Sequence, residues 1–202
     1  MQAIADNISG VTEEDTLRAQ FYALLSGLLS GPPTDETLKQ LKDLEGDETD
    51  IGRAFADLAV AASGISADEV EDEYNALFIG VTQGELLPYA SHYLTGFLCE
   101  QPLADLRGEM AVLGISRADG VTEPEDHIAS VLEIMHGLIT GIFGGVLEIS
   151  DQKKFFDAHL ETWAPRFFED LEAASNAALY RPVATIGRTF MTIEKEAFAM
   201  SE

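Results

Sequence analysis

The chain has 202 residues, 46% hydrophobic and 24% charged, a balance that folds into a packed core and excludes intrinsic disorder. Against 12 Lys and Arg stand 36 Asp and Glu, a formal net charge of -24 that excludes the basic footprint needed for nucleic acid or an anionic membrane surface. A field of this sign attracts cationic partners, although it serves solubility equally well. The length favours one domain over 1–202, with a candidate hinge at 114–122. The lone cysteine, Cys99, has no partner for an internal disulfide, and its neighbours Phe97 and Leu98 predict a buried, inert thiol. Residues 1–10 lack a basic start followed by an apolar run, so no signal peptide is expected there.

Apolar residues then recur at helical spacing from one end of the chain to the other. Leu17, Phe21, Leu24, Leu25 and Leu28, behind the acidic turn Glu13-Glu14-Asp15, predict a first helix that Gly31-Pro32-Pro33 ends. Short helices are expected near 34–44 and 51–63. Ser66 and Glu69 form a capping-box pattern, with Ile65 and Val70 as its staple, opening a helix that carries Val70, Tyr74, Leu77 and Phe78 and ends near Gly80. Residues 81–87 read as a loop feeding a helix from about Tyr89. After Gln101-Pro102 comes a helix with Leu103, Leu106, Met110 and Leu113, closed by Gly114.

Thr122-Glu123-Pro124-Glu125 reads as a second capping box, opening the longest apolar helix. Its expected buried stripe runs from Ile128 through Val131, Leu132, Met135, Leu138 and Ile139 to Ile142, with Gly144-Gly145 as the stop. Residues 128–147 are apolar enough to test as a membrane span. Glu133 and His136 interrupt them and no Lys or Arg flanks them, so a buried helix is expected instead. Residues 151–174 are helical, broken or kinked at Pro165, and a last helix spans about 183–198. No strand alternation or repeat is present. The expected fold is an all-α, single-domain bundle of roughly eight to ten helices.

No phosphate loop, nucleophile elbow or Cys-x-x-Cys pair occurs. Glu133-x-x-His136 matches half of a di-iron bundle element, but such a site needs a second copy and two further glutamates. A metal-dependent oxidoreductase is therefore a remote alternative to a polar helix edge. Glu123, Glu125, Asp126 and His127 crowd one helix start, as caps or as a site for a cationic ligand. Between 74 and 93 lie several aromatics that form either a core stripe or an apolar groove.

Taken together, the last two segments resemble the TorD/DmsD/NarJ family of redox-enzyme maturation chaperones. Tyr74-x-x-Leu77-Phe78 with Pro88-x-x-Ser91-x-Tyr93 is similar to its first motif, and Glu123-Pro124-x-Asp126-His127 to its second. The resemblance implies a cytoplasmic, non-enzymatic chaperone that binds the twin-arginine signal peptide of a molybdopterin-containing oxidoreductase. It also implies contact with the folded or partly folded body of that molybdoenzyme during cofactor insertion, before export. By matching positions, the implied peptide-binding residues are Tyr74, Leu77, Phe78, Pro88, Tyr93, Glu123, Pro124, Asp126 and His127, with no cofactor or metal of the chaperone's own. His127, with an ordinary value near 6.5, is expected to make binding vary with pH. A monomer and a domain-swapped homodimer are both known arrangements in the family. A NarJ-like assembly factor for a cytoplasmic molybdoenzyme subunit is the alternative with the same fold.

Overall fold

In the computed structural model, which describes residues 11–80, 83–118 and 120–200, ten α-helices form and no strand is present among the described residues. The expectations for residues 1–10, and for positions 81 and 82 of the loop at 81–87, lie outside them. Local capping chemistry sets the early helix starts. Thr12 and Asp15 close a capping box on α1 (Glu13–Leu29), Thr34 caps α2 (Asp35–Lys42), and Thr49 caps α3 (Asp50–Ser63). Ser66 and Glu69 form the expected box on α4 (Ala67–Tyr74), which runs on into a π-helical turn, Asn75–Ile79. Then follow α5 (Ala90–Thr95), α6 (Gln101–Val112), α7 (Ile128–Thr140), α8 (Ile149–His159), α9 (Ala164–Ala173) and α10 (Tyr180–Met200).

One hydrophobic core runs through all of them. At its centre α7 buries Ile128, Val131, Leu132, Ile134, Met135, Leu138 and Ile139, with α1 as its principal neighbour. On the other side of α1, α10 packs against α9 and α3. Burial of aliphatic and aromatic side chains at about 1.5–3 kcal/mol each drives this assembly. No helix of the described residues is long and apolar enough to cross a membrane.

A polar cluster lies inside the core. Arg18 donates from Nε and Nη2 to the two carboxylate oxygens of Glu194, at 2.7 and 2.9 Å, and Tyr22 donates to the same carboxylate at 2.8 Å. Gln152 and Asp15 accept from Arg18 Nη1. The cluster rotates α1 relative to its apolar periodicity: Arg18, Tyr22, Leu25 and Leu29 face inward, and Leu17, expected on the buried stripe, is 58% exposed.

Three other expectations need correction. The box at Thr122 does not form; α7 starts at Ile128 with His127 as its cap, because residues 123–127 are held by α5 instead of continuing the helix. At its other end α7 stops at Gly141 (φ 77), earlier than Gly144, which leaves Ile142 63% exposed on the following turn. Cys99 is exposed, since the turn carrying Phe97 and Leu98 projects from the α5–α6 connection. The break at Pro165 is real: α8 ends at His159 and α9 restarts at Ala164, with proline in its first turn, where a missing N–H costs nothing.

Candidate functional site

The π-helical turn after α4 begins the site. Gly80 N–H reaches back to Asn75 O at 2.6 Å, and the returning segment lies directly on this turn, with Glu85 N bonded to Ala76 O and Leu86 N to Leu77 O. Gly84 permits that approach, since a Cβ there would collide with the backbone of Leu77 and Phe78. π-Helical turns of this kind occur often at functional sites, because the extra residue re-aims side chains.

Tyr74 and Phe78 form an aromatic floor, packed together at 5.0 Å between ring centroids, with Tyr180 edge-on to Phe78 at 5.5 Å. Hydroxyls anchor the rings: Tyr74 donates to Leu29 O at 3.3 Å and Tyr180 to Leu28 O at 3.0 Å. The buried Glu73 carboxylate accepts from the backbone N–H of Ala178, Leu179 and Tyr180, capping α10 and locking Tyr180 beside α4.

The two motif segments are joined backbone to backbone. Ile128 donates to Pro88 O at 2.8 Å and Ala90 to Asp126 O at 2.9 Å, an antiparallel bridge centred on Tyr89 and His127. Asp126 Oδ2 accepts from Ser91 N at 2.9 Å, while Oδ1 has no hydrogen-bond partner among the described residues. Tyr89 stacks edge-on to the His127 ring and donates its hydroxyl to the Glu123 carboxylate. His127 Nδ1 in turn accepts from Ala129 N at 3.2 Å. Residues 88–91 and 123–128 thus form one clamp across the start of α7.

Above the aromatic floor and beside this clamp lies an open groove of about 470 Å³. Tyr74, Phe78, Pro88, Tyr89, Glu123 and His127 line it. Its electrostatics are uneven. Glu125 is occupied by Arg107 at 2.7 Å and Arg117 at 3.8 Å; burial works to raise its carboxyl, but the Arg107 guanidinium outweighs that and holds it low. No Lys or Arg side chain pairs with the Glu123 carboxylate among the described residues, so that charge is free to meet a cation. Burial raises the Tyr89 hydroxyl, and its bond to Glu123 raises it further, so Tyr89 remains a donor at physiological pH. Burial pushes His127 down to about 4 despite the nearby Glu123 and Asp126. The ring is therefore neutral near pH 7, which removes the expectation that it makes binding pH-dependent there.

Of the nine sequence-predicted positions, five meet at the groove: Tyr74, Phe78, Pro88, Glu123 and His127. The structure places the other four elsewhere. Leu77 is fully buried beneath the floor. Tyr93 packs on Trp163 and Phe167, at 5.7 and 6.0 Å between centroids, away from the groove lining. Pro124 shapes the turn that returns His127 N to its own carbonyl. Asp126 is 1% exposed and borders a separate cavity of about 170 Å³ with Ala90, Leu94 and Trp163. Glu133 and His136 do not share a site: Glu133 borders the groove, and His136 Nδ1 lies 3.0 Å from Ala19 O. Among the described residues no group of three or more His, Cys, Asp and Glu is placed to hold a metal ion. Tyr89, one of the aromatics between 74 and 93 that the sequence offers for an apolar groove, does line it; Glu133, read from the sequence only as half of a metal element or a polar helix edge, is the groove residue that the motifs do not mark.

Comparison with known proteins bears on the family and the fold. The family described as nitrate reductase delta subunit matches residues 44–169, which include both clamp segments. Chaperone protein TorD of Aliivibrio fischeri is 29% identical, over 90% of this chain and 94% of that protein. Chaperone protein TorD of Vibrio cholerae (strain M66-2) is 27% identical, over 93% of this chain and 76% of that protein. A crystal structure from Archaeoglobus fulgidus, described as a candidate redox enzyme maturation protein, has the same fold, with a TM-score of 0.54 at 19% identity over 87% of this chain and 93% of that one. The all-α bundle, a family match that spans more than half of the chain and relatives named as chaperones lead to one conclusion: the chain belongs to the nitrate reductase delta subunit family, the family of TorD and NarJ.

Proposed function

We propose that this chain is a cytoplasmic chaperone, folded as one domain over 1–202, that binds the twin-arginine signal peptide of a molybdopterin-containing oxidoreductase and assists its cofactor insertion and folding before export. The observation that carries the reading is the groove itself: an aromatic floor of Tyr74 and Phe78 beside a Glu123 carboxylate that no Lys or Arg of the described chain neutralises. Such a leader offers the matching chemistry, a basic front and an apolar run.

Three or four apolar side chains buried at about 1.5–3 kcal/mol each supply most of the gross energy. Association and ordering costs remove much of it, leaving a dissociation constant on the order of micromolar. Glu123 receives an arginine, contributing about 0.2–1 kcal/mol, with a larger share in register and encounter rate. Leu77, Pro124 and Asp126 act behind the surface: the leucine supports the floor, and the other two shape the clamp that carries Glu123 and His127. Tyr93 supports the helix that Asp126 holds.

Calorimetric titration with synthetic leaders from molybdoenzymes of the same organism, at low and moderate salt, tests this. Micromolar, salt-sensitive binding to one leader, lost with a scrambled sequence and weakened by double Arg→Lys, is the expected result. The family's description as nitrate reductase delta subunit favours a second reading, a NarJ-like assembly factor for a cytoplasmic molybdoenzyme subunit. Binding to a peptide from such a subunit, with every leader silent, selects that reading.

A further inference from the structure

The groove has a neighbour. A second cavity, of about 200 Å³, opens between α6, α7 and residues 115–118 and 121, and Val121, Glu123, Ser130 and Glu133 line both it and the groove. We propose that the two are lobes of one peptide track, that Glu133 is a specificity-determining residue on the wall between them, and that the second lobe takes the apolar run of a basic-apolar peptide. This rests on the reading of the groove as a leader-binding site.

Three observations carry it. First, Ser130, Glu133 and Ile134 share one face of α7 at three- and four-residue spacing; Ser130 and Glu133 line both cavities and form the common wall, and Ile134 continues the face into the second lobe. Second, Glu133 is exposed and its carboxylate has no hydrogen bond or ion pair among the described residues, whereas Glu125 in the same cavity is already occupied by Arg107 and Arg117. The wall therefore presents two carboxylates without a cationic partner, Glu123 and Glu133, to two adjacent arginines.

Third, the second lobe is largely apolar: Met110, Ile115, Val121, Ile134 and Phe143 line it, and the charges it adds beyond the wall, Arg117 and Glu125, are paired with each other. Gly137 makes room for this surface, since a Cβ there would strike the Phe143 ring, which closes against α7 at that position. The occupant that fits is a segment with adjacent arginines followed directly by apolar residues, the arginines on the shared wall and the apolar run across Phe143. A basic segment without an apolar continuation leaves this lobe empty.

The test uses the full chain and two peptides, a complete leader and a short version that ends just after its arginines. Glu133→Gln, at an exposed position, should weaken both peptides by roughly two- to fivefold at low salt and flatten the salt dependence. Phe143→Ala should weaken the complete leader by roughly tenfold or more and leave the short peptide unchanged. Circular dichroism and urea midpoints establish that both variants fold. If Glu133→Gln binds as the unaltered protein does, or Phe143→Ala affects both peptides alike, the two-lobe track is wrong while the groove stands. If the unaltered protein binds neither peptide, the reading of the groove falls, and this inference with it.

Discussion

His127 makes stability depend on pH in a direction set by its burial. Its folded value lies near 4 against 6.5 for an unrestrained ring, because desolvation disfavours the imidazolium more than Glu123 and Asp126 favour it. Between those values the unfolded chain binds the proton and the folded chain does not, so stability is complete above about pH 6.5 and declines as pH falls toward 4. At 1.36 kcal/mol per unit, this single group removes about 2 kcal/mol between pH 7 and pH 5, a substantial part of a typical domain's stability. Carboxylates held low in the fold, such as Asp15 and Glu172, add their own losses only at more acidic pH. His127→Asn isolates the effect, since asparagine is a good helix cap for Ala129 N–H and does not titrate. Urea unfolding at pH 7 and pH 5, followed by circular dichroism, should show the unaltered protein losing about 2 kcal/mol more than the variant. Equal losses in the two proteins would refute the assignment of a buried, neutral ring.

Two further outcomes follow from the clamp and from the core. Asp126→Ala strips the acceptor from Ser91 N–H in a buried position and should cost about 1–3 kcal/mol, whereas Asp126→Asn, which keeps an oxygen, should retain most stability and leader affinity. Loss of affinity in the asparagine variant, with stability intact, would instead make Asp126 a direct peptide contact. Arg18→Ala leaves the Glu194 carboxylate buried and uncompensated and should cost about 3–5 kcal/mol in urea unfolding, without changing leader affinity in the protein that remains folded.

The Asp-His pair plays a structural part that its motif does not reveal. Read along the chain, Asp126 and His127 look like ligand-facing polar residues at a helix start. In the fold Asp126 is buried and holds α5 by Ser91 N–H, while His127 holds α7 by Ala129 N–H and also lines the groove. What they place at the surface is Glu123 and Tyr89.

Local interactions were legible in the sequence alone. The all-helical class, the Ser66–Glu69 capping box, the stop at Gly80, the break at Pro165 and the buried character of residues 128–139 all depend on contacts within one helical turn or on strong apolar periodicity. The motif resemblance likewise brought out five residues that line the groove. Tertiary structure decided the rest, wherever a distant partner outweighs local preference. Glu194, 176 positions away, turns α1 so that Arg18 is inside and Leu17 outside. The bridge to Tyr89 pulls residues 123–127 out of the helix that their capping pattern predicts. Glu133 became part of the groove wall only once α7 lay across the clamp, and Cys99 was exposed by the direction of a turn that no local pattern specifies. Burial of charge and pairing of backbone polar groups are satisfied over the whole chain at once, so these outcomes appear only in the assembled fold.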